Sequence, residues 1–130
     1  MVSIRLLCIL PDNSESLKVK ALLRTFPLFQ VRDLSCSGDV NLKEAPAAEA
    51  DLLILNDDLL KKDFAGFIEE LKNRSEFIIV SSDPALGIKA FEKGAAGFLV
   101  HPVTPEKMAL ALWRAYERLC FRPRSERKRD

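Results

Sequence analysis

The chain has 130 residues, of which 48% are hydrophobic, enough for one domain that builds its own core. Its three widely spaced cysteines, with no CxxC pair and no cluster of Cys and His, argue against structural zinc and a disulfide framework and fit a reducing cytoplasm. The net charge of +1 divides into −2 over residues 1–120 (15 basic, 17 acidic) and +3 over residues 121–130 (five basic, two acidic), which predicts a nearly neutral domain followed by a basic tail or linker.

The first predicted elements are a buried strand at Ile4–Leu10 and an amphipathic helix. The apolar run of the strand is too short to span a bilayer and lacks the flanks of a signal peptide. Asp12 stands three residues before Glu15, which predicts a helix N-cap with a capping box. The next apolar residues have helical spacing and stop at Pro27: Val19, Leu22, Leu23 and Phe26.

The middle of the chain continues the alternation of strand and helix. We predict a strand at Phe29–Cys36, a helix over residues 38–50 interrupted by Pro46, and a strand at Leu52–Leu55. The unbroken apolarity of this third strand is typical of a strand covered on both faces. Asp63 is predicted to cap a helix with the apolar face Phe64, Phe67, Ile68 and Leu71.

The last part of the chain contains two more predicted strands and two more helices. Phe77–Val80 and Gly97–Val100 are the strands. Asp83–Pro84 is predicted to start the fourth helix, and Gly94 to end it in the left-handed conformation. Thr104–Pro105 starts the fifth helix, with apolar positions at Met108, Leu112, Ala115 and Leu119.

Five strands that alternate with five helices predict an α/β fold, a three-layer doubly wound sandwich around a five-stranded parallel sheet. Ligands of such sheets bind beyond the carboxyl ends of the strands, near the switch in strand order. These ends are Leu10–Asn13, Leu55–Asp58, Val80–Ser82 and Val100–Pro102.

Three segments resemble the receiver domains of response regulators, the CheY-like family. Asp51–Asn56 resembles the strand that ends in the family's phosphoryl-accepting aspartate, and Val80–Ser82 resembles the strand that ends in its Ser/Thr switch. Lys89–Pro102 is similar to the family's Gly-Ala-x-x-(Tyr/Phe)-Leu-x-Lys-Pro stretch. The resemblance covers roughly residues 3–120 and implies a flavodoxin/CheY-like sheet of strand order 2-1-3-4-5.

The active-site positions depart from the family pattern. Asn56 stands at the acceptor position, and an amide cannot act as the carboxylate nucleophile. Leu10 and Pro11 stand where the family has an acidic pair that helps to hold Mg²⁺, with Asp12 as the nearest displaced acid. His101 replaces the family's lysine.

Ser81 and Phe98, the two switch positions, remain as the family has them. The resemblance therefore implies a degenerate pseudo-receiver: not an enzyme, without metal or cofactor, and acting by protein–protein contacts in a two-component or transcriptional context. It further implies a cis peptide bond between His101 and Pro102. A partner or a second copy is expected on the face of the fourth helix, fifth strand and fifth helix, where Trp113 is predicted to lie, and a DNA-binding output domain beyond the tail.

Plainer roles exist for several of these residues. Asp12 is explained by capping alone. Asp57 and Asp58 are conceivable replacement acceptors, but strand alternation turns Asp57 away from the face of Asn56, which favours solvated loop acids. His101 is a candidate pH sensor, since imidazole titrates nearest neutrality, or simply an exposed loop histidine.

Two other functional classes share this layered fold. A phosphocarrier that uses Cys8 needs a loop rich in Gly, Ser and Thr after the cysteine, and Cys8-Ile-Leu-Pro-Asp-Asn-Ser has no glycine. A nucleotide- or flavin-binding domain needs a phosphate loop such as GxGxxG, which follows none of the predicted strands. Both remain alternatives because a fold does not determine a function.

Overall fold

The computed structural model describes residues 4–11, 13–27, 29–35, 50–57, 60 and 75–121. The five strands are β1 (Ile4–Leu10), β2 (Phe29–Ser35), β3 (Leu52–Asn56), β4 (Glu76–Ser81) and β5 (Gly97–Val100). The helices in the described ranges are α1 (Ser14–Leu23), α2 (Gly87–Glu92), which follows a 3-10 turn at Pro84–Leu86, and α3 (Pro105–Phe121). Several predicted features lie outside the described residues: positions 38–49 of the second predicted helix, the helix after Asp63, the acid Asp58, and the basic tail after Phe121.

The strands form one parallel sheet in the order β2-β1-β3-β4-β5, which confirms the predicted topology. Its central strands are buried on both faces, as their continuous apolarity predicts. Leu52 and Ile54 point into a core cluster shared with α1 and α3, whereas Leu53 and Leu55 point into a second cluster shared with α2. The two clusters establish the three-layer α/β sandwich.

The start of α1 differs from the prediction by one residue. Asn13, not Asp12, is the N-cap: its backbone is extended (φ −153°), and its Oδ1 accepts a hydrogen bond of 2.8 Å from the N–H of Ser16. Asn and Asp cap helices about equally well, so composition could not choose between two neighbouring candidates. The predicted capping box with Glu15 is therefore wrong, while Asp12 itself lies outside the described residues.

The connection from α2 to β5 is a Schellman motif. The N–H of Gly94 donates to the carbonyl of Phe91 (3.0 Å), and the N–H of Ala95 donates to the carbonyl of Ala90 (3.1 Å). Gly94 has φ 97°, a conformation that residues with a side chain rarely adopt. The predicted left-handed end of this helix is confirmed.

Helix α3 packs closely across the sheet. It begins after Thr104, whose Oγ1 accepts a hydrogen bond of 3.2 Å from the N–H of Lys107. The close approach depends on Gly97, because a Cβ at that position would lie 3.0 Å from the Cβ of Ala111. No helix within the described ranges is long and apolar enough to cross a membrane.

Two buried acids lie at the amino ends of β3 and β4, which we call the amino edge (Asp51, Ser75 and Glu76). The guanidinium of Arg118 in α3 is 3.0 Å from Glu76 and also donates to the carbonyls of Ala95 (3.1 Å) and Gly94 (3.3 Å). Asp51 accepts a hydrogen bond of 3.1 Å from the backbone N–H of Arg5. The amino edge is thus fastened to α3 and to β1 by charged groups.

Candidate functional site

The carboxyl ends of β3, β4 and β5 meet at one edge of the sheet, which we call the carboxyl edge (Asn56, Asp57, Ser81 and His101). Asn56 is paired in register with Val80, and Ser81 with Val100. The residues of the suspected receiver site are therefore neighbours in space, although they come from three separate segments of the chain.

Ser81 is the best-defined group of this edge. Its side chain is buried, and its hydroxyl donates a hydrogen bond of 2.5 Å to Oδ2 of Asp57. Oγ of Ser81 also accepts a hydrogen bond of 2.9 Å from the N–H of Asp83. A short bond between a hydroxyl and a carboxylate is charge-assisted and stronger than one between neutral groups. Ser81 is thus held between an acid and the start of the next helical segment.

The partner of Ser81 is Asp57, the residue after the expected acceptor position. Asn56 and Val80 are in register, so the next residues, Asp57 and Ser81, share the opposite side of the sheet. Asp57 does alternate with Asn56, as predicted, but the inference that it is a solvated loop acid is wrong, because it is half-buried and bound to Ser81. Knowledge of the β3–β4 register would have revealed this contact.

The described residues at the carboxyl ends of β1 and β3 do not fit a Mg²⁺ site of the kind that the receiver family implies. Leu10 is buried in the core cluster, and Pro11, next to it, also has a hydrocarbon side chain. Neither offers the oxygen ligands that Mg²⁺ requires. Among the residues that the structure describes, no three side chains of His, Cys, Asp or Glu come together as a metal-binding group.

His101 is attached to the site through its backbone. Its N–H donates a hydrogen bond of 3.0 Å to the carbonyl of Ser81, and its side chain is half-buried rather than fully exposed. The peptide bond from His101 to Pro102 is cis, which confirms the prediction from the family resemblance.

Phe98, the second predicted switch position, is half-buried and packs against the core cluster that includes Ala90. Its ring lies against Gly87: a Cβ at Gly87 would be 3.3 Å from Cδ2 of Phe98. The aromatic ring is therefore turned toward α2.

Trp113 does not lie on the face where the sequence analysis placed it. Ala111 and Arg118 are the α3 residues that approach β5 and the loop before it. At about 100° per residue, Trp113 is about 140–160° around the helix from both. Its ring packs instead on Tyr116, with centroids 5.8 Å apart.

Tyr116 is the one described group whose pKa is clearly shifted. A side-chain hydrogen bond to Cys120 raises the pKa of its phenol, and the charge interaction with Cys120 adds to the effect. Both residues belong to α3, away from the carboxyl edge.

No protein-family model and no curated protein matches the chain. Solved structures do match, and the following three are receiver-type proteins. A chain of the crystal structure of the P1 domain of CheA3 in complex with CheY6 from R. sphaeroides is 23% identical, with a TM-score of 0.69 over 88% of this chain and 98% of that chain. A receiver domain protein from Clostridium thermocellum is 21% identical (TM-score 0.64; 91% and 98% covered), and the chemotaxis protein CheY4 of Vibrio cholerae is 19% identical (0.62; 88% and 99%).

Proposed function

We propose that this flavodoxin/CheY-like domain is a pseudo-receiver that regulates through protein–protein contacts without being phosphorylated, in a two-component or transcriptional context. The observation that carries the proposal is the hydrogen bond from Ser81 to Asp57. By the family resemblance, a Ser or Thr at this position bonds the phosphorylated acceptor. In this chain the carboxylate of Asp57 accepts the hydrogen bond of the same hydroxyl.

We expect that bond to favour one arrangement of the predicted switch residue Ser81. A hydrogen bond to a charged group contributes roughly 1.5–3 kcal/mol, and the burial of Ser81 makes loss of the bond costly. With Ser81 held by Asp57 and Asp83, and Phe98 packed toward α2, the two switch positions are ordered without a phosphoryl group. We infer that the domain has a single signalling conformation at this edge.

The chemistry of phosphoryl transfer is also poorly supported by the residues present. Transfer to a carboxylate needs an in-line nucleophile and a cation to neutralise the charge that develops on the transferred oxygens. Asn56 lacks the nucleophile, and Leu10 and Pro11 cannot hold the cation. Asp57 is the nearest described acid, but the Ser81 hydroxyl already occupies one of its oxygens.

The two alternative functions, a phosphocarrier and a nucleotide- or flavin-binding domain, gain no support from the described residues. Cys8 is completely buried in β1, where a phosphocarrier nucleophile would be inaccessible. The glycine that follows α2, Gly94, ends a helix rather than opening one toward a phosphate. Neither observation favours a nucleotide, a flavin or a phosphocysteine.

For the partner contact, we propose the face formed by α2, β5 and α3. Ile88 (76% exposed) and Phe91 (49% exposed) are three residues apart, so they share one side of α2. Exposed large apolar residues that cluster in this way are typical of protein-binding surfaces. The partner that we propose for this face is a different protein rather than a second copy of the chain. A DNA-binding output domain beyond the tail and a cytoplasmic location remain predictions.

The direct test is incubation with acetyl phosphate and Mg²⁺ followed by intact-mass measurement. We expect no phosphoryl adduct on the native protein, and none on Asn56→Asp, because one restored carboxylate does not restore the cation site. A stoichiometric adduct on the native protein that hydroxylamine removes would show an acyl phosphate and refute the proposal.

A second test addresses the switch itself. Asp57→Ala removes the acceptor of the Ser81 hydroxyl, and Asp57→Asn keeps an oxygen acceptor but removes the charge. We expect Asp57→Ala to shift the NMR signals of Phe98 and of the Asp83 amide strongly, and Asp57→Asn to shift them less. Unchanged signals in both variants would mean that Asp57 does not position the switch.

A further inference from the structure

We infer that two copies of this chain associate through the outer face of α3, with the two helices antiparallel. The surface is a stripe of four exposed residues, the outer stripe (Leu110, Arg114, Glu117 and Phe121). This inference does not depend on the proposed function, because it concerns a face of α3 turned away from the carboxyl edge.

The outer stripe is straight and exposed. Its residues are four, three and four positions apart, which places them within about 60° of each other around the helix and over about 16 Å of its length. Leu110 is 52% exposed and Phe121 is 83% exposed, although both are large apolar side chains. The opposite side of the helix is buried in the core through Met108, Leu112 and Ala115.

The order of side chains in the outer stripe is self-complementary. Apolar residues lie at its two ends, with a basic and an acidic residue between them, and the spacing is the same in both directions. In an antiparallel pair with a two-fold axis beside the midpoint of Arg114 and Glu117, Leu110 of one copy faces Phe121 of the other. Arg114 then faces Glu117, and the symmetry forms this ion pair twice. A second copy of the chain therefore matches the stripe in both charge and apolarity.

Trp113 extends this contact on one flank. It is 57% exposed and lies beside the outer stripe, supported from behind by Tyr116. In a pair related by this two-fold axis, the flank that carries Trp113 lies on the same side of the interface in both copies. The two Trp113 side chains would therefore lie near each other, close to the axis. Aromatic residues near the centre of an interface contribute strongly to binding. About three helical turns make a small contact, so we expect a weak dimer that forms at high protein concentration.

Charge reversal tests the geometry. Each single variant, Arg114→Glu or Glu117→Arg, places like charges opposite each other twice per dimer. Sedimentation equilibrium should show dimerisation weakened by about tenfold or more. The double variant R114E/E117R rebuilds both ion pairs in reverse and should dimerise within about threefold of the native protein. An equimolar mixture of the two single variants should form the heterodimer in preference to either homodimer.

Trp113 is the only tryptophan of the chain, so its fluorescence reports on this surface alone. The emission should shift to shorter wavelength as the native protein dimerises, and the single variants should require a higher concentration for the same shift. Circular dichroism and urea unfolding of each variant establish that the fold is intact.

Three outcomes would overturn the inference. One is a native protein that stays monomeric at millimolar concentration. Another is a dimer that neither single charge reversal weakens. A dimer that the single variants weaken, but that the folded double variant does not restore, counts equally against it. The third is a dimer that Ile88→Asp abolishes while the Trp113 emission never changes, which would assign self-association to the face of α2. Since no phosphoryl donor is present in any of these experiments, their failure leaves the acetyl phosphate result unaffected.

Discussion

The two ends of the sheet carry acids of different kinds. At the amino edge, Asp51 and Glu76 are 3% and 1% exposed, and each lies beside an arginine from another element. At the carboxyl edge, Asp57 is only half-buried, and the contact that defines its position is with the hydroxyl of Ser81. The more deeply buried acids thus lie at the end of the sheet where parallel folds do not bind ligands.

This difference teaches that burial of a charge does not by itself mark a functional site. Glu76 fixes α3 to β4 through Arg118, and Asp51 joins the starts of β1 and β3, so both have structural explanations. Asp57 contacts Ser81, which the family resemblance predicts to be a switch position, at the end of the sheet where parallel folds bind ligands. The functional assignment therefore depends on which group the acid contacts and at which end of the sheet.

The largest effect is expected at the amino edge. Arg118→Ala leaves the carboxylate of Glu76 buried without its arginine, and breaking a buried pair typically costs 3–5 kcal/mol. Because Arg118 is 41% exposed, water can partly replace it, and we expect a loss of about 2–3 kcal/mol in the free energy of unfolding by urea. Lys107→Ala, which removes another basic and exposed side chain of α3, is the control and should cost less than about 0.5 kcal/mol. Equal losses in the two variants would mean that the contact between Arg118 and Glu76 does not stabilise the amino edge.

A smaller effect is expected for Ser81, the predicted switch residue. Ser81→Ala removes the donor to Asp57 and the acceptor for the Asp83 amide, so we expect a loss of about 1–2 kcal/mol in the free energy of unfolding. Ser82→Ala, at the exposed neighbouring position, is the control and should be nearly neutral. If the two alanine variants are equally stable, the Ser81–Asp57 bond does not form in solution.

Asn56→Asp is expected to have a smaller effect still. It places a second carboxylate next to Asp57, and like charges at this distance repel. We expect the variant to be neutral or destabilised by up to about 1 kcal/mol in urea unfolding. A clear gain in stability would indicate a cation-binding carboxyl edge and would contradict the assignment of Leu10 and Pro11.

The smallest effect is expected for the pKa of Tyr116 in α3. That pKa can also show whether removal of the Arg118 side chain disturbs only its immediate surroundings or the whole helix. The raised pKa of Tyr116 means that the folded state holds the phenol proton more tightly than the unfolded chain. The stability from this group is present below the unfolded pKa of about 10 and is lost as the pH rises through the folded pKa. Cys120→Ala should return the pKa of Tyr116 toward its ordinary value, as measured by tyrosinate absorbance of the only tyrosine.

In Arg118→Ala, by contrast, the pKa of Tyr116 should stay raised, because the hydrogen bond to Cys120 lies within α3. A return to the ordinary value in that variant would mean that the amino-edge contact holds the whole helix in place.

The fold was predictable because its signals are local. The apolar runs gave β1 and β5 with the observed bounds, and Gly94 marked the end of α2 because few other residues adopt a positive φ. The N-cap of α1 was misplaced by one residue because Asp12 and Asn13 have the same capping ability.

The contacts of the site were less predictable, because they depend on how strands from distant parts of the chain are aligned. The sequence pattern predicts that Asn56 and Ser81 lie at the same edge of the sheet. Which residue contacts Ser81 depends on the β3–β4 register: Asn56 is paired with Val80, so the following residue, Asp57, is the one that lies beside Ser81. Trp113 was assigned to the wrong side for a similar reason: a helix position is defined only once the buried side of that helix is known.

The guanidinium of Arg118 has a consequence for how the domain opens. It lies one turn before the end of α3 and holds a strand, a helix cap and the last helix at a single point. The final turn can unwind without disturbing that point, whereas unwinding that reaches Arg118 leaves the buried carboxylate of Glu76 without its arginine. Amide protons after Arg118 should therefore exchange with solvent rapidly, while those of Ala111 to Ala115 should exchange only when the whole domain unfolds.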